Sequence, residues 1–502
     1  MKKLLLLLFI TNVSLGQISL VKDLNVGPGY NGLQDAFYGN KLVKFGDYLY
    51  FGGNADGFLG LFRTDGTDAG TTRLTSPTMQ VFVKEIQATP TFVAWSAGNY
   101  IASGEVPWRY DGTTADIAAY YGNYAQSLAV YNGEVFYAGH TFDDGFELWK
   151  IDATNLAVKV KNIPGTGVGQ TLTPSNILAH SDGFMYFLRW RLNADCELWK
   201  SDGTTGGTNM VKALPYITNM YSAGSKLYLF GPSDPNYPTS GNHNLWVSDG
   251  TTGGTIPIKD FNPADYPTHS DPYAFNGKLY FVLDDKISGS ELWTSDGTTL
   301  GTYRVADINP GIGNGFGTPL GHVGSTLYLA GNDGTGTALY KMDAATETVT
   351  KIKTISFITK GIEFQGKFYF AADDGVNGQE LWVSDGTNAG TLMVGDINAT
   401  GSSYPIQFCV LNNKLIFDAY TDALGYELYK YIDPLAPTCP QNLVLSGVPA
   451  QADFSASESI ISTQIVNIPS PQTNYLAPSI TLSPGFRVES GSVFSAIPDG
   501  CI

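Results

Sequence analysis

Pairs of aspartates followed by a glutamate occur at three places in this 502-residue chain, and they are its strongest hint of site chemistry. The pairs are Asp143-Asp144, Asp284-Asp285 and Asp373-Asp374, and the glutamates that follow them are Glu147, Glu291 and Glu380. Calcium takes six to eight oxygen ligands, which paired carboxylates and turn carbonyls could supply. The simpler interpretation is a solvated turn in which aspartate accepts hydrogen bonds from nearby amides. The loops match neither the EF-hand nor the RTX calcium pattern, so calcium stays an open alternative and no other cofactor is predicted.

Signatures of catalysis are missing from the sequence. It contains no H-E-x-x-H zinc motif and no G-x-S-x-G nucleophile elbow. The five histidines are scattered, and we interpret them as loop or packing residues: His140, His180, His243, His269 and His322. We therefore identify no catalytic residue. The metal content of any site is left undetermined.

The composition favours short strands joined by tight turns. Glycine numbers 58, aromatic residues make up 13% and charged residues only 15%. Glycine costs about 1 kcal/mol relative to alanine inside a helix, which argues against a helical fold. The formal net charge of −17 argues against a nucleic-acid partner, because a phosphate backbone attracts basic surfaces.

The first residues have the pattern of a secretory signal peptide, which we assign to residues 1–16. Lys2 and Lys3 precede a short apolar run, and small residues lie before Gln17. No later apolar run is long enough to span a membrane as a helix. We expect a secreted, extracellular chain, with attachment to the cell surface left open. In that compartment Cys439 and Cys501 are expected to form a disulfide, and Cys196 and Cys409 to behave as small apolar residues.

A repeat of about 47 residues fills the chain from residue 17 to residue 433. One copy reads FNGKLYFVLDDKISGSELWTSDGTTLGTYRVADINPG from Phe275. Its turn residues divide it into four strands, here called a, b, c and d. An Asn-Gly turn connects a to b, and a Ser-Asp-Gly-Thr turn connects c to d. Four strands at this length are typical of a propeller blade. Strand b is apolar on both faces, as a sheet packed between two others requires.

Nine copies can be counted, although the copy around Trp108 is degenerate. The segment from Leu20 looks like a strand d without the strands that should precede it, and the ninth copy lacks its own strand d. We predict an all-β fold: a single β-propeller of eight to nine four-stranded blades, closed by the N-terminal strand. Closure removes exposed sheet edges.

The copies ELWKSDGTTGGT (from Glu197), ELWTSDGTTLGT (from Glu291) and ELWVSDGTNAGT (from Glu380) resemble the ELWxxDGT repeat of secreted Bacteroidota-type proteins. This resemblance implies an extracellular propeller and no defined activity. The tail, residues 434–502, resembles the small stacked-β coathanger domain. We predict a small β-helix-like C-terminal domain there.

Recognition is expected on the face that carries the b–c and d–a loops, because these loops vary while the other turns are uniform. Candidate ligand-binding residues are the six aspartates named above and Tyr237. We expect a monomeric, non-catalytic binding or adhesion protein whose partner is an extracellular polysaccharide or protein. The alternative is a glycan-active hydrolase or lyase with paired carboxylates in the channel.

Overall fold

The structure is a computed structural model of the full chain. It describes residues 17–25, 32–33, 41–55, 57–76, 81–99, 105–113, 115–117, 123–141, 145–151, 157–163, 177–190, 196–215, 217, 219–231, 244–261, 268–269, 272–285 and 287–433, and eight short strands between 442 and 497. Every regular element in these ranges is a β-strand. None of the described residues forms a helix long and apolar enough to cross a membrane.

Nine four-stranded antiparallel sheets form a ring, which confirms the all-β propeller and fixes the number of blades at nine. Blades 1 to 3 consist of β2 (Val43–Phe45), β3 (Tyr48–Ala55), β4 (Phe58–Thr64), β5 (Thr72–Arg73); β6 (Val81–Ala88), β7 (Val93–Asn99), β8 (Glu105–Tyr110), β9 (Ala115–Ile117); and β10 (Asn123–Tyr131), β11 (Glu134–Thr141), β12 (Gly145–Ile151), β13 (Ala157–Lys161). Blades 4 to 6 consist of β14 (Leu178–Ala179), β15 (Met185–Trp190), β16 (Cys196–Ser201), β17 (Asn209–Leu214); β18 (Asn219–Ala223), β19 (Lys226–Gly231), β20 (Asn244–Ser248), β21 (Ile256–Asp260); and β22 (Thr268–His269), β23 (Tyr273–Phe275), β24 (Lys278–Asp284), β25 (Ser290–Ser295), β26 (Thr302–Ala306). Blades 7 to 9 consist of β27 (Phe316–Val323), β28 (Thr326–Asn332), β29 (Thr337–Asp343), β30 (Val349–Thr354); β31 (Ile362–Phe364), β32 (Lys367–Asp373), β33 (Gln379–Ser384), β34 (Leu392–Gly395); and β35 (Ile406–Leu411), β36 (Lys414–Thr421), β37 (Gly425–Ile432) with β1 (Gln17–Lys22).

The degenerate second copy is a complete blade. Strands β6 to β9 pair in order, with Trp95 opposite Trp108 at the position where other blades place the motif tryptophan. In blade 6 the innermost strand is divided into β22 and β23, both of which pair with β24. The blade count of nine follows, because no copy is partial.

Turn chemistry explains the tight a–b connections. Asn276 and Gly277 have φ values of 49° and 76°, so both central residues are left-handed, as a two-residue hairpin turn requires. The strands on either side pair in register from Phe275 opposite Lys278. The Asn-Gly pair therefore sets the register of the hairpin, as the sequence indicates.

The hydrophobic core lies between the blades. Strand b is buried on both faces, as in Tyr280 and Phe281 of blade 6. The tryptophan of each ELW-like motif packs against the preceding blade: Trp199 against Phe136, for example, and Trp382 against Tyr328. Burial of these large side chains on both faces holds neighbouring blades together.

The N-terminal strand closes the ring. The sheet order β1-β37-β36-β35 makes β1 the strand d of blade 9. Lys22 on β1 donates to the carbonyl oxygen of Thr71 in blade 1 at 3.2 Å. Equivalent hydrogen bonds join other neighbouring blades: Lys212 Nζ donates to the carbonyl oxygen of Thr255, and Lys353 Nζ donates to that of Thr391. Blade 9 therefore joins blade 1 as the internal blades join one another.

The chain divides into two compact units, Leu20–Cys409 with Ile416–Tyr429, and Met1–Ser19 with Val410–Leu415 and Lys430–Ile502. The second unit includes eight short strands: β38 (Asn442–Leu445), β39 (Asp453–Ser455), β40 (Ser459–Ser462), β41 (Ile465–Val466), β42 (Thr473–Leu476), β43 (Ser479–Leu482), β44 (Arg487–Val488) and β45 (Phe494–Ile497). They form three parallel ladders, β38-β40-β43, β39-β42-β45 and β41-β44. Stacked parallel ladders are the arrangement of a β-helix, as predicted for this segment.

The cysteine predictions have separate outcomes. Cys196 is buried within the core between blades 4 and 5, and Cys409 is half-buried in β35. Cys439 and Cys501 lie outside the described residues, as does the signal peptide, so the disulfide and the cleavage site stay predictions.

Candidate binding face

The order of strands decides which loops share a face. In an antiparallel sheet of order a, b, c, d, successive connections alternate between the two ends. The b–c loops and the d–a crossovers therefore leave one end of every blade, and the a–b and c–d turns leave the other. We call the first end the crossover face and the second the turn face.

On the turn face, the described Ser-Asp-Gly-Thr turns share one hydrogen-bonded arrangement. In blade 6 the carboxylate of Asp296 accepts from the amide of Thr298 at 2.8 Å and from its hydroxyl at 2.7 Å. Ser295 and Thr302 share a hydrogen bond that closes the base of the turn. The same bonds recur around three further motif aspartates: Asp202, Asp249 and Asp385. These hydrogen bonds lower the pKa of each aspartate and confirm that the Ser-Asp-Gly-Thr segments are structural.

The crossover face displays large apolar side chains to solvent. Five of the exposed large hydrophobic residues lie within its described b–c loops and crossovers: Ile287, Ile312, Phe357, Val376 and Tyr404. Within the described c–d turns Leu300 is the comparable side chain, and six further exposed residues lie near the turn-face ends of strands c and d: Val158, Met210, Ile256, Tyr303, Leu392 and Ile432. Within the described connections, exposed apolar side chains are therefore more frequent in the b–c loops and crossovers than in the c–d turns, and such side chains on loops are typical of an interaction surface.

The acidic loops on this face are held by their own turns. Asp285 Oδ1 accepts from the amides of Ile287 and Ser288, at 3.0 and 2.7 Å. Although partial burial opposes it, the bonds from Ser288 and Ile287 give Asp285 a pKa below its usual value. Asp374 accepts from the amides of Val376 and Asn377 at 2.8 and 2.9 Å. These carboxylates act as turn caps, the simpler of the two interpretations.

The other predicted site residues have mixed outcomes. Asp284 ends β24 and is half-buried, and Asp373 Oδ1 accepts from the amide of Gly375 at 2.6 Å. Asp143, Asp144 and Tyr237 lie outside the described residues. Within the described part of the chain, no three His, Cys, Asp or Glu side chains gather as a metal site would require. Calcium binding stays an untested prediction.

Two histidines in the described ranges have hydrogen-bonding partners. His180 Nδ1 lies 2.7 Å from Ser222 Oγ, and His322 Nδ1 lies 2.7 Å from Tyr273 Oη. Both contacts join the innermost strands of neighbouring blades or the turn beside them, which agrees with the interpretation of these residues as packing residues.

The motif glutamates have a role that sequence reasoning missed. They are buried, and their carboxylates accept hydrogen bonds from the backbone of the crossover that leads to the next blade. Glu380 accepts from the amides of Ile397 and Ser403 at 2.9 and 3.0 Å, and from the Ser403 hydroxyl at 2.6 Å. Glu147 accepts from the amide of Ile163 at 3.1 Å, and Glu291 from Ile308 at 3.3 Å. The recurrence of glutamate before Leu-Trp was the available signal.

Burial governs the electrostatics of these glutamates. It raises the pKa of Glu291 to about 7, with the nearby charge of Asp307 adding to the effect and the bond from Ile308 opposing it. Burial likewise raises the pKa of Glu380, against the bonds from Ser403 and Ile397. Glu197 differs, because Arg189 forms a buried ion pair with it at 3.1 Å. A buried carboxylate is tolerated here because backbone or side-chain donors satisfy it.

Glu427 accepts the corresponding hydrogen bond at the point where the ring closes. Its Oε2 accepts from the amide of Leu24 at 3.2 Å, immediately after β1. Burial raises the pKa of Glu427 to about 8, and the charge of Asp23 contributes. Behind it, burial and the charge of Glu427 raise the pKa of Asp418 well above its usual value. These carboxylates belong to the interior of blade 9, so they are structural groups.

No protein-family model matches this sequence, and no curated protein matches it. Solved structures that it resembles include a puromycin-hydrolysing peptidase from Mycobacterium tuberculosis, at 12% identity over 75% of this chain and 62% of that chain, with a TM-score of 0.38. An oligogalacturonate lyase in complex with manganese matches at 12% identity over 79% of this chain and 99% of that chain, with a TM-score of 0.40. Oligopeptidase B from Leishmania major matches at 12% identity over 82% of this chain and 55% of that chain, with a TM-score of 0.40. The chain spans less than two thirds of both peptidases, and these similarities say nothing about its activity.

Proposed function

We propose that this chain is a secreted ELWxxDGT-type propeller that binds an extracellular polysaccharide or protein through its crossover face, without catalysing a reaction. The observation that carries the proposal is the contrast between the two faces. The described Ser-Asp-Gly-Thr turns are uniform and hold their own aspartates by hydrogen bonds, whereas the b–c loops and crossovers differ between blades and carry five exposed apolar side chains. Variable loops on a rigid scaffold are a common basis of recognition.

The absence of catalytic motifs favours binding over chemistry. The buried motif glutamates accept hydrogen bonds from the backbone between blades, and their burial there accounts for their raised pKa values without a catalytic role. The proposed secretion depends on the signal-peptide pattern of residues 1–16.

A screen of immobilised glycans and extracellular proteins with the mature chain, residues 17–502, tests binding. The same ligands are incubated with the chain and their products analysed by mass spectrometry. We expect retention of a ligand without new products. Cleaved or unsaturated glycan products would show that the enzyme alternative is correct.

Two labelled variants identify the face that binds. Val376 on the crossover face and Leu300 on the turn face are both apolar and highly exposed. Both variants, Val376→Cys and Leu300→Cys, are made in a Cys409→Ser background and coupled to polyethylene-glycol maleimide. The Cys409→Ser chain without either new cysteine is treated in the same way, and any labelling of it shows reaction at other cysteines. Loss of binding only in the Val376→Cys adduct supports the proposal, and loss only in the Leu300→Cys adduct contradicts it.

A further inference from the structure

Two aromatic side chains project into solvent at the same register of neighbouring crossovers. In each of four blades a residue near the end of strand b donates its amide to the carbonyl oxygen of a residue in the segment that precedes strand a, as in Asp373 to Ser356 and Tyr420 to Ser403. Asn54 to Gly32 and Asn332 to Gly315 are the same bonds in blades 1 and 7. The residue that follows is Leu33 in blade 1, Phe316 in blade 7, Phe357 in blade 8 and Tyr404 in blade 9.

The side chain at this register is large and buried in two blades, and large and exposed in the other two. Leu33 and Phe316 are only 6% and 5% exposed, so in blades 1 and 7 the position contributes to the core. Phe357 is 72% exposed and Tyr404 is 47% exposed. The outward aromatic rings are a local departure from the repeat.

Backbone conformation accounts for the departure. Phe357 and Tyr404 both have a φ of 47°, in the left-handed region that residues other than glycine rarely adopt. Such conformations persist only where surrounding bonds impose them, and they are concentrated at functional sites. Neither ring gains core burial in exchange.

Gln379 fixes both aromatic residues. Its Nε2 donates to the carbonyl oxygen of Phe357 at 2.7 Å, and its own carbonyl oxygen accepts from the amide of Tyr404 at 3.2 Å. Val376, 84% exposed, lies in the loop that immediately precedes Gln379. We call Phe357, Val376, Gln379 and Tyr404 the blade 8 platform. Its backbone is held before any ligand arrives, which reduces the entropy lost on binding.

Charge narrows the choice of ligand. The chain carries a net charge of −17, which disfavours an anionic polysaccharide. The carboxylates beside the platform are committed to turns, since Asp374 accepts from Val376 and Asn377, and Asp422 accepts from Thr400. Ion pairing with a basic peptide would compete with those bonds.

We propose that the blade 8 platform is a subsite for a neutral polysaccharide, an inference that rests on the proposed binding function. Exposed aromatic rings provide flat apolar surfaces for the C–H faces of pyranose rings, and the amide of Gln379 is a partner for sugar hydroxyls. The two aromatics on successive blades would contact successive parts of one chain.

The test uses neutral β-glucan, mannan and xylan hexasaccharides, with polygalacturonate and an oligolysine peptide as comparators. Phe357→Asn and Tyr404→Asn remove the rings, and asparagine accepts a positive φ more readily than an aromatic residue. We expect each variant to bind a neutral hexasaccharide about tenfold more weakly, with a melting temperature equal to or above that of the parent. Leu300→Ala and Ile312→Ala are controls on the turn face and elsewhere on the crossover face.

Each outcome separates the subsite from the general function. Neutral-glycan binding that is insensitive to salt and lost in both aromatic variants supports the subsite. Glycan or protein binding that survives both substitutions overturns the platform while leaving the propeller a binding protein. Binding of oligolysine alone, weakened by salt, assigns the platform to a basic peptide and overturns the neutral-glycan proposal. Failure to bind any probe in the wider screen overturns the proposed function itself.

Discussion

At the scale of single residues, the motif glutamate explains why the repeat keeps an acid beside two large apolar residues. Leucine and tryptophan fill the two faces of strand c, and the glutamate bonds the backbone that leaves for the next blade. Unsatisfied buried amides are costly, at about 1–3 kcal/mol each. The carboxylate therefore stabilises a connection that has no regular secondary structure of its own.

Glu380→Ala tests this role. The substitution leaves the amide of Ile397 without its acceptor and removes one of the two acceptors of the Ser403 amide, so we expect a loss of about 2 kcal/mol in the free energy of unfolding. Thermal unfolding followed by circular dichroism measures it. Glu363→Ala, at an exposed glutamate of the same blade, is the matched control. If both substitutions have the same small effect on stability, Glu380 does not stabilise the crossover backbone.

Asp296→Ala tests the turn at the same scale. Removing the acceptor for the Thr298 amide and hydroxyl should destabilise the chain by about 1 kcal/mol. Because Asp202 holds an equivalent turn in a different blade, Asp202→Ala combined with Asp296→Ala should show additive losses. Asp296→Asn keeps an acceptor oxygen and should lose less. Stability unchanged in the double variant would show that the turns do not depend on these bonds.

At the scale of elements, the crossovers determine both assembly and display. In the crossovers that follow blades 3, 6 and 8, one end is held by a buried motif glutamate, and exposed residues lie further along the crossovers after blades 6 and 8. A crossover can therefore change its exposed residues without loss of the blade contact. Ile312 and Tyr404 lie in two such crossovers, after the glutamates of blades 6 and 8.

The buried glutamates predict that stability falls as pH rises. The folded chain raises the pKa of Glu427 to about 8, above the ordinary value of 4.5, so the folded state holds more protons between these pH values. This contribution is complete below 4.5 and is lost as pH rises through about 8, and Glu291 adds a similar loss through about 7. The turn aspartates act in the opposite direction, because their pKa values are lowered in the folded chain. They stabilise the folded state at pH values above the ordinary aspartate pKa, and this stabilisation is lost as the pH falls below it.

Melting temperatures measured across this range test the prediction. We expect a maximum at mildly acidic pH and a decline toward about pH 9. Glu427→Gln removes one titrating group and should flatten the decline, whereas Glu363→Gln should leave it unchanged. A melting temperature that rises steadily with pH would show that these glutamates are ionised in the folded chain.

At the scale of the whole molecule, the ring depends on a contact between the two ends of the repeat region. β1 completes the sheet of blade 9, Leu24 bonds Glu427, and Lys22 reaches blade 1. An open edge at β37 would present unpaired backbone groups to other chains. The closing strand therefore contributes to stability and protects against association.

Deletion of residues 17–25 tests closure, with a chain that begins at Gln17 as the control. The deletion removes β1 and the Leu24 donor, so we expect a melting temperature lower by about 10 °C or more. Light scattering should also show concentration-dependent association through the exposed edge of blade 9. A monomer with the melting temperature of the control would show that closure does not depend on this strand.

The sequence by itself determined the nine repeats, their four strands and the closing segment, because these follow from turn residues and apolar runs that are local in the chain. Asn276-Gly277 and the Ser-Asp-Gly-Thr turns set conformations within a few residues, so their structural role could be predicted. Tertiary structure alone decided that Glu380 and Glu427 bond distant backbone amides, and that Phe357 and Tyr404 face solvent while Phe316 does not. Those outcomes depend on contacts between blades and on backbone conformation at one register, and neither leaves a periodic pattern in the chain.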